Sequence, residues 1–398
     1  MAYNGVKEPR FYIDQAQYLK SIGFDFESEI QNKVAWSDEY KQKAINGEDG
    51  VYSIVSNPEL FTLDSANQKL IQGSEAPSHS FICPSGYSKE QNLEGSNIGR
   101  YVAFLNHNIK QRCSFEYLNA NSETMVVESL GTEGSEILNA ESQGSTLVIP
   151  STGTGFDTKY TKGCSIWEFK KNPADDSNAF NPPEFYDMVK INHGINLSEE
   201  DDLKLGGISW GVYYDLRSPD LDVELTTEFD GFSTTKTLGG STITNVKYAG
   251  SPWWYDVDGN KIEPWSVGES SNLTKRNGRR VWSLKFSYLS DTDIFASNNM
   301  SNNYYEHSSS DSTDSVYNDA GDLSDDANDF RYTLEEDNSF MAQVINRIGN
   351  GQRFIFQPDK TNNNPDQFAI CMLDMDEFSV KQVAYRTYSF DLKIREVW

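Results

Sequence analysis

The sequence predicts a mainly β protein, built from two β-sandwich units with one α-helix packed on the second. Three observations carry this reading. The run 387–396 sets Tyr388, Phe390, Leu392 and Ile394 on one side, and Thr387, Ser389, Asp391, Lys393 and Arg395 on the other. Such period-two alternation marks a strand with one buried and one wet face. The run 280–288 repeats the pattern, with Trp282, Leu284, Phe286 and Tyr288 inward. Aromatic residues make up 13% of the chain and Gly, Asn, Ser and Thr are abundant, which favours sheets over helical bundles. A length of 398 residues leaves room for two or three domains with sizeable cores.

Residues 1–50 read as an arm or entry segment. Phe11-Tyr12-Ile13-Asp14 suggests a short strand, and Ala16, Leu19 and Ile22 fall at helical spacing before Gly23. Ser37–Ala44 is polar, a surface helix or a loop. Residues 51–205 form the first expected sandwich, with many short strands broken by Gly, Ser, Asn and Pro. Its clearest strand, Arg100–Leu105, is nearly all apolar and therefore covered on both faces.

Residues 206–296 and 330–398 form the second expected β-domain. Within it, Leu221–Phe229 alternates. Gly239-Gly240 then separates Thr234–Leu238 from Ser241–Tyr248, the pattern of a long hairpin. Long hairpins rich in Thr and Ser tend to pair outside their own domain. The expected subunit interface is therefore Leu221, Val223, Leu225, Thr242, Ile243 and Val246, with Trp253 and Trp254 at an adjoining corner. Residues 297–329 are dominated by Asn, Ser and Asp, and read as an acidic loop insertion. Leu334–Ile348 has Phe340, Met341, Val344, Ile345 and Ile348 on one helical face, a cap at Asp337 or Asn338 and a stop at Gly349.

Charge narrows the function classes. Lys and Arg total 34 against 60 Asp and Glu, a net charge of -26. Such a polyanion is repelled by nucleic acid and by anionic lipid. No specific nucleic-acid binding is expected, and the basic cluster 275–280 reads as a hairpin flank or as a contact with an acidic neighbouring subunit. The four cysteines, Cys83, Cys113, Cys164 and Cys371, make no CxxC pair, so buried thiols are expected in place of a zinc site or disulfide framework. No stretch reads as a secretory signal or a membrane span, so synthesis in a cytoplasm without membrane insertion is expected.

Motifs that bear chemistry are weak. Asp256-Val257-Asp258-Gly259-Asn260 lacks the full spacing and closing Glu of a calcium loop, and a turn explains it more simply. Gly153-Thr154-Gly155 lacks the Lys of a phosphate loop. Asp374, Asp376 and Glu377 sit at a strand connection, where a turn outweighs paired-carboxylate catalysis. Asn106-His107-Asn108 follows the buried strand. It reads either as a ligand-contacting loop or, more simply, as a polar turn that satisfies strand-end backbone groups. No catalytic constellation, metal site or cofactor site emerges, and no enzyme activity is expected.

Two resemblances add to this. Tyr101–Ile109 resembles the strand and turn of galactose-binding-like, discoidin-type sandwiches in phage structural proteins, extending over 51–205. Trp210–Leu221, Gly278–Ser290, Phe354–Asp359 and Tyr388–Trp398 resemble tail-associated proteins of marine long-tailed bacteriophages. The order of strand, helix, strand and meander is similar to the tail-tube-like domain of distal tail (baseplate) proteins. That resemblance implies a virion structural protein that assembles with itself in a ring, taken as a hexamer, and meets neighbouring tail tube and hub proteins. The alternatives are a carbohydrate-binding adsorption module facing a host-surface glycan, with Asn106, His107 and Asn108 as its loop, or another tail-tube or minor tail component of the virion.

Overall fold

The computed structural model describes residues 5–33, 36–64, 69–71, 78–83, 98–107, 113–118, 124–129, 145–149, 163–169, 188–193, 203–229, 232–246, 251–255, 259–266, 278–290, 294, 339–349 and 351–398. The expected insertion 297–329 and residues 334–338 lie outside them.

The chain opens with β1 (Arg10–Asp14), which passes directly into α1 (Gln15–Ser21), α2 (Phe26–Asn32) and α3 (Asp38–Asn46). Ser37 caps α3 by accepting the Tyr40 amide, so the polar 37–44 stretch is helical. Then come β2 (Val51–Tyr52), β3 (Lys69–Ile71), β4 (Ser78–Ile82), β5 (Ile98–His107), β6 (Cys113–Leu118), β7 (Thr124–Ser129) and β8 (Ser145–Ile149). Next are β9 (Cys164–Phe169), β10 (Met188–His193), β11 (Leu203–Asp215), β12 (Glu224–Glu228), β13 (Phe232–Lys236) and β14 (Thr242–Val246). The rest are β15 (Trp254–Tyr255), β16 (Lys261–Ile262), β17 (Arg279–Ser290), β18 (Phe354–Gln357), β19 (Ala369–Leu373), β20 (Val380–Ala384) and β21 (Thr387–Glu396).

The protein is mainly β, around one large antiparallel sheet of 12 strands. Its path runs β12-β17-β21-β19-β18-β1-β11-β5-β9-β8, with β20 added on β21 and β3 on β11. A second sheet of five strands runs β2-β4-β10-β6-β7. β13–β14 and β15–β16 are separate hairpins.

This topology redraws the expected map. The boundary at 205/206 falls inside β11, which pairs with β5 from Leu205↔His107 to Tyr214↔Ile98. The large sheet therefore runs straight through that position. Residues 1–50 also supply more than an arm, because β1 lies between β11 and β18 in the middle of the sheet. Its residues Phe11 and Tyr12 are fully buried. Sequence-distant pairing of this kind costs loop-closure entropy, which burial on both faces offsets.

One sheet face buries Phe11, Ile13, Val212, Tyr214, Phe354, Phe356 and the inward residues of β17 and β21. The other buries Tyr12, Tyr101, Leu105, Tyr213 and Ile355 beneath Trp254 and Trp265. The alternation in β21 holds: Tyr388, Phe390, Leu392 and Ile394 are all in the core. In β17 it fails at Tyr288. A register irregularity between Phe286 and Leu289 and a φ of 58° turn Tyr288 outward, 77% exposed, and Leu289 takes its place in the core. A bulge inserts one residue and reverses the sides that follow.

The helical segment near 340 packs on the first face. Phe340, Val344 and Ile348 are buried and Phe340 stacks on Phe390 at 5.3 Å. It is a π-helical turn over Met341–Ile345, in which the Asn346 amide reaches back to the Met341 carbonyl, followed by one α-helical turn, Asn346–Ile348. Gly349, at φ 53°, ends it as expected.

Candidate functional site

Asn106 and His107 sit at the end of β5, and neither has any exposed surface. Asn106 adopts φ 50°, and its Oδ1 accepts the Tyr255 amide at 2.9 Å. The His107 amide donates to the Gly163 carbonyl, and its Nε2 lies 3.0 Å from Ser165 Oγ. Burial drives the imidazole down to about 3, so it is neutral at pH 7. These two side chains tie β5 to β9 and β15. They satisfy backbone and hydroxyl groups inside the protein and present nothing to a ligand. Asn108 lies outside the described residues.

A buried ionic cluster joins β1, β9, β11 and the segment after β18. Sequence spacing could not reveal it, since its members come from both ends of the chain. Arg10 donates to Asp215 through Nε at 2.5 Å and Nη2 at 2.8 Å, and its Nη1 meets Glu168. The guanidinium also lies 4.3 Å above the Tyr213 ring. The Tyr12 hydroxyl is 2.5 Å from Glu168 Oε1 and 3.0 Å from Gln357 Oε1. Lys360 adds a 3.4 Å contact to Asp215. Burial opposes the Arg10 charge, but Asp215 and Glu168 outweigh it and raise its pKa. Burial, then Glu168, raises Tyr12. Two cations meet two carboxylates, so the cluster is internally compensated. It works as a clamp across the sheet.

A crevice beneath Trp254, Trp265 and Trp398 holds about 10 Å³, room for a single water. A depression of about 380 Å³ beside α1, lined by Gln17, Lys20, Asp64 and Arg353, opens to solvent. Among the described residues no three His, Cys, Asp or Glu side chains gather as a metal site, and no helix is long and apolar enough to cross a membrane. Cys83, Cys164 and Cys371 are buried, as expected; the side chain of Cys113 is not among those described. Gly153–Gly155 and Asp256–Asp258 lie outside the described residues.

The predicted interface residues divide into two groups. Trp254 is buried and packs on Trp265 at 5.2 Å, so it belongs to the core, while Trp253 is half-buried. Val223 packs against the core from its edge. Leu221 and Leu225 are exposed, at 105% and 38%. Thr242 is exposed, and Ile243 is 57% exposed on β14; the side chain of Val246 is not among those described. The hairpin β13–β14 pairs Phe232↔Val246 through Lys236↔Thr242, turning at Gly240 with φ 82°. Ser233–Lys236 and Thr242–Asn245 are exposed on both faces, and Leu238 at the turn is fully exposed. β12, which precedes the hairpin in the chain, is an end strand of the large sheet and is also exposed.

Comparison with protein-family models, with curated proteins and with solved structures found no match.

Proposed function

We propose that the chain is a virion structural protein, a distal tail or baseplate ring subunit that assembles through its β12–β14 region. In this reading the tail-tube-like and galactose-binding-like folds expected from the sequence share the large sheet, which crosses position 205/206. The single observation that supports it best is the β13–β14 hairpin, which is exposed on both faces and carries Leu238 and Ile243 into solvent. An isolated two-stranded hairpin is marginal in water, and an uncovered edge strand invites pairing. A second copy that takes up the hairpin removes both liabilities, and repetition of such a contact closes a ring. The compensated Arg10 cluster and the buried Asn106–His107 pair support a scaffold in which polar groups hold strands together. Two of the three residues assigned to a glycan loop, Asn106 and His107, have no exposed surface.

The test is solution mass by light scattering, with negative-stain images, for the wild type and for a variant carrying Leu238→Asp and Ile243→Lys. Rings of the wild type, six-membered in this reading, that revert to monomers in the variant are expected. A wild type that stays monomeric at high concentration, alone and with tail tube protein, overturns the proposal.

A further inference from the structure

Asp14 stands where β1 turns into α1, and it is 2% exposed. Its Oδ1 caps α1 by accepting the Gln17 amide at 3.0 Å. Its Oδ2 is fully buried and has no hydrogen-bond partner among the described residues. Asp14 lies opposite Gly211 in the sheet, where the backbone is so close that a Cβ on Gly211 would sit 2.2 Å from the Ile13 carbonyl. Ser209 on β11 also faces the carboxylate, and its hydroxyl is 2.7 Å from that of Tyr101 on β5. From α1 the Gln17 amide faces it. Arg347, the charged group of the neighbouring helical turn, is engaged by Gln15 Oε1 at 2.9 Å. A titratable neighbour is Tyr101, whose pKa burial raises first and the Asp14 charge raises further.

A buried carboxylate with one oxygen that has no hydrogen-bond partner among the described residues is costly to keep charged. We propose that Asp14 is a built-in proton site, which takes a proton from solvent onto Oδ2 in mildly acidic solution and so tightens the β1–α1 junction. Burial lifts its carboxyl from 3.8 to about 6, against the opposing hydrogen bonds of Gln17 and Ser209. The folded state therefore binds more protons than the unfolded chain between those two values. The stabilisation is complete below the unfolded value and is lost as pH rises through about 6. The corresponding change in the folded-to-unfolded ratio is on the order of a hundredfold.

The experiment is urea unfolding of the full chain from pH 8 to pH 4, for wild type and Asp14→Asn. Asn keeps the helix cap and cannot ionise. Other titrating groups are common to both proteins and cancel in the difference. The variant is expected to be the more stable at pH 8, with the gap closing through about pH 6. A gap that is constant with pH, or that opens on acidification, overturns the proposal. Ser209→Ala removes a donor to the charged form and is expected to move the midpoint of that gap upward; an unmoved midpoint contradicts its assignment to Asp14.

Discussion

At Gly211 a side chain has nowhere to go. Its φ of 152° and the 2.2 Å approach to the Ile13 carbonyl both exclude a Cβ. Gly211→Ala is expected to cost about 2–4 kcal/mol in urea unfolding, because backbone must move in the middle of the sheet. Gly99 is constrained differently, since a Cβ there would meet the Tyr213 ring at 2.5 Å. His107 supplies a second residue-level test. Its pKa is depressed in the fold, so its contribution is present above the unfolded value of 6.5 and is lost as pH falls toward about 3. His107→Gln should lose about 1–2 kcal/mol at pH 7 by giving up the Ser165 contact. It should then show a flatter acid limb than the wild type between pH 6.5 and pH 3. A limb unchanged in slope would contradict the neutral buried imidazole.

At the scale of elements, local pattern decided what could be read in advance. β21 alternates cleanly because one face is core and the other is water. It pairs with β17 on one side and with β19 and β20 on the other. Removing 387–398 would strip partners from all three, and the truncated chain is expected to lose its cooperative unfolding transition. The β13–β14 hairpin was equally legible, because Gly-Gly between two Thr-rich runs is strong turn chemistry. Leu238→Asp with Ile243→Lys should leave monomer stability within about 0.5 kcal/mol, since neither side chain is buried. A large loss of stability would mean that the hairpin packs within its own chain. Tyr288 faces outward against its alternation because a bulge leaves no trace in an alternating sequence. The strand 280–288 looks continuous, and only pairing with β21 reveals the extra residue.

Across the whole molecule, the large sheet gathers strands from both ends of the chain. Arg10, Glu168 and Asp215 meet in its interior. Arg10→Ala is expected to destabilise by about 3–5 kcal/mol, because it leaves two buried carboxylates without their main cation. Urea unfolding measures this, and a cost below about 1 kcal/mol would show that the cluster holds nothing together. None of it was legible from spacing, since no motif links positions 10, 168 and 215. By itself the sequence determined the β character, the wet and dry sides of β21, the apolar burial of β5, the turn at Gly239-Gly240 and the stop at Gly349. These rest on side-chain periodicity and turn chemistry within a few residues. Tertiary structure alone decided that β1 is a middle strand, that the sheet crosses the position expected to divide two domains, and that Asn106 and His107 are internal ties. The physical reason is that strand pairing is set by backbone hydrogen bonds, which every sequence can offer. The choice of partner is made only when distant apolar faces are buried together.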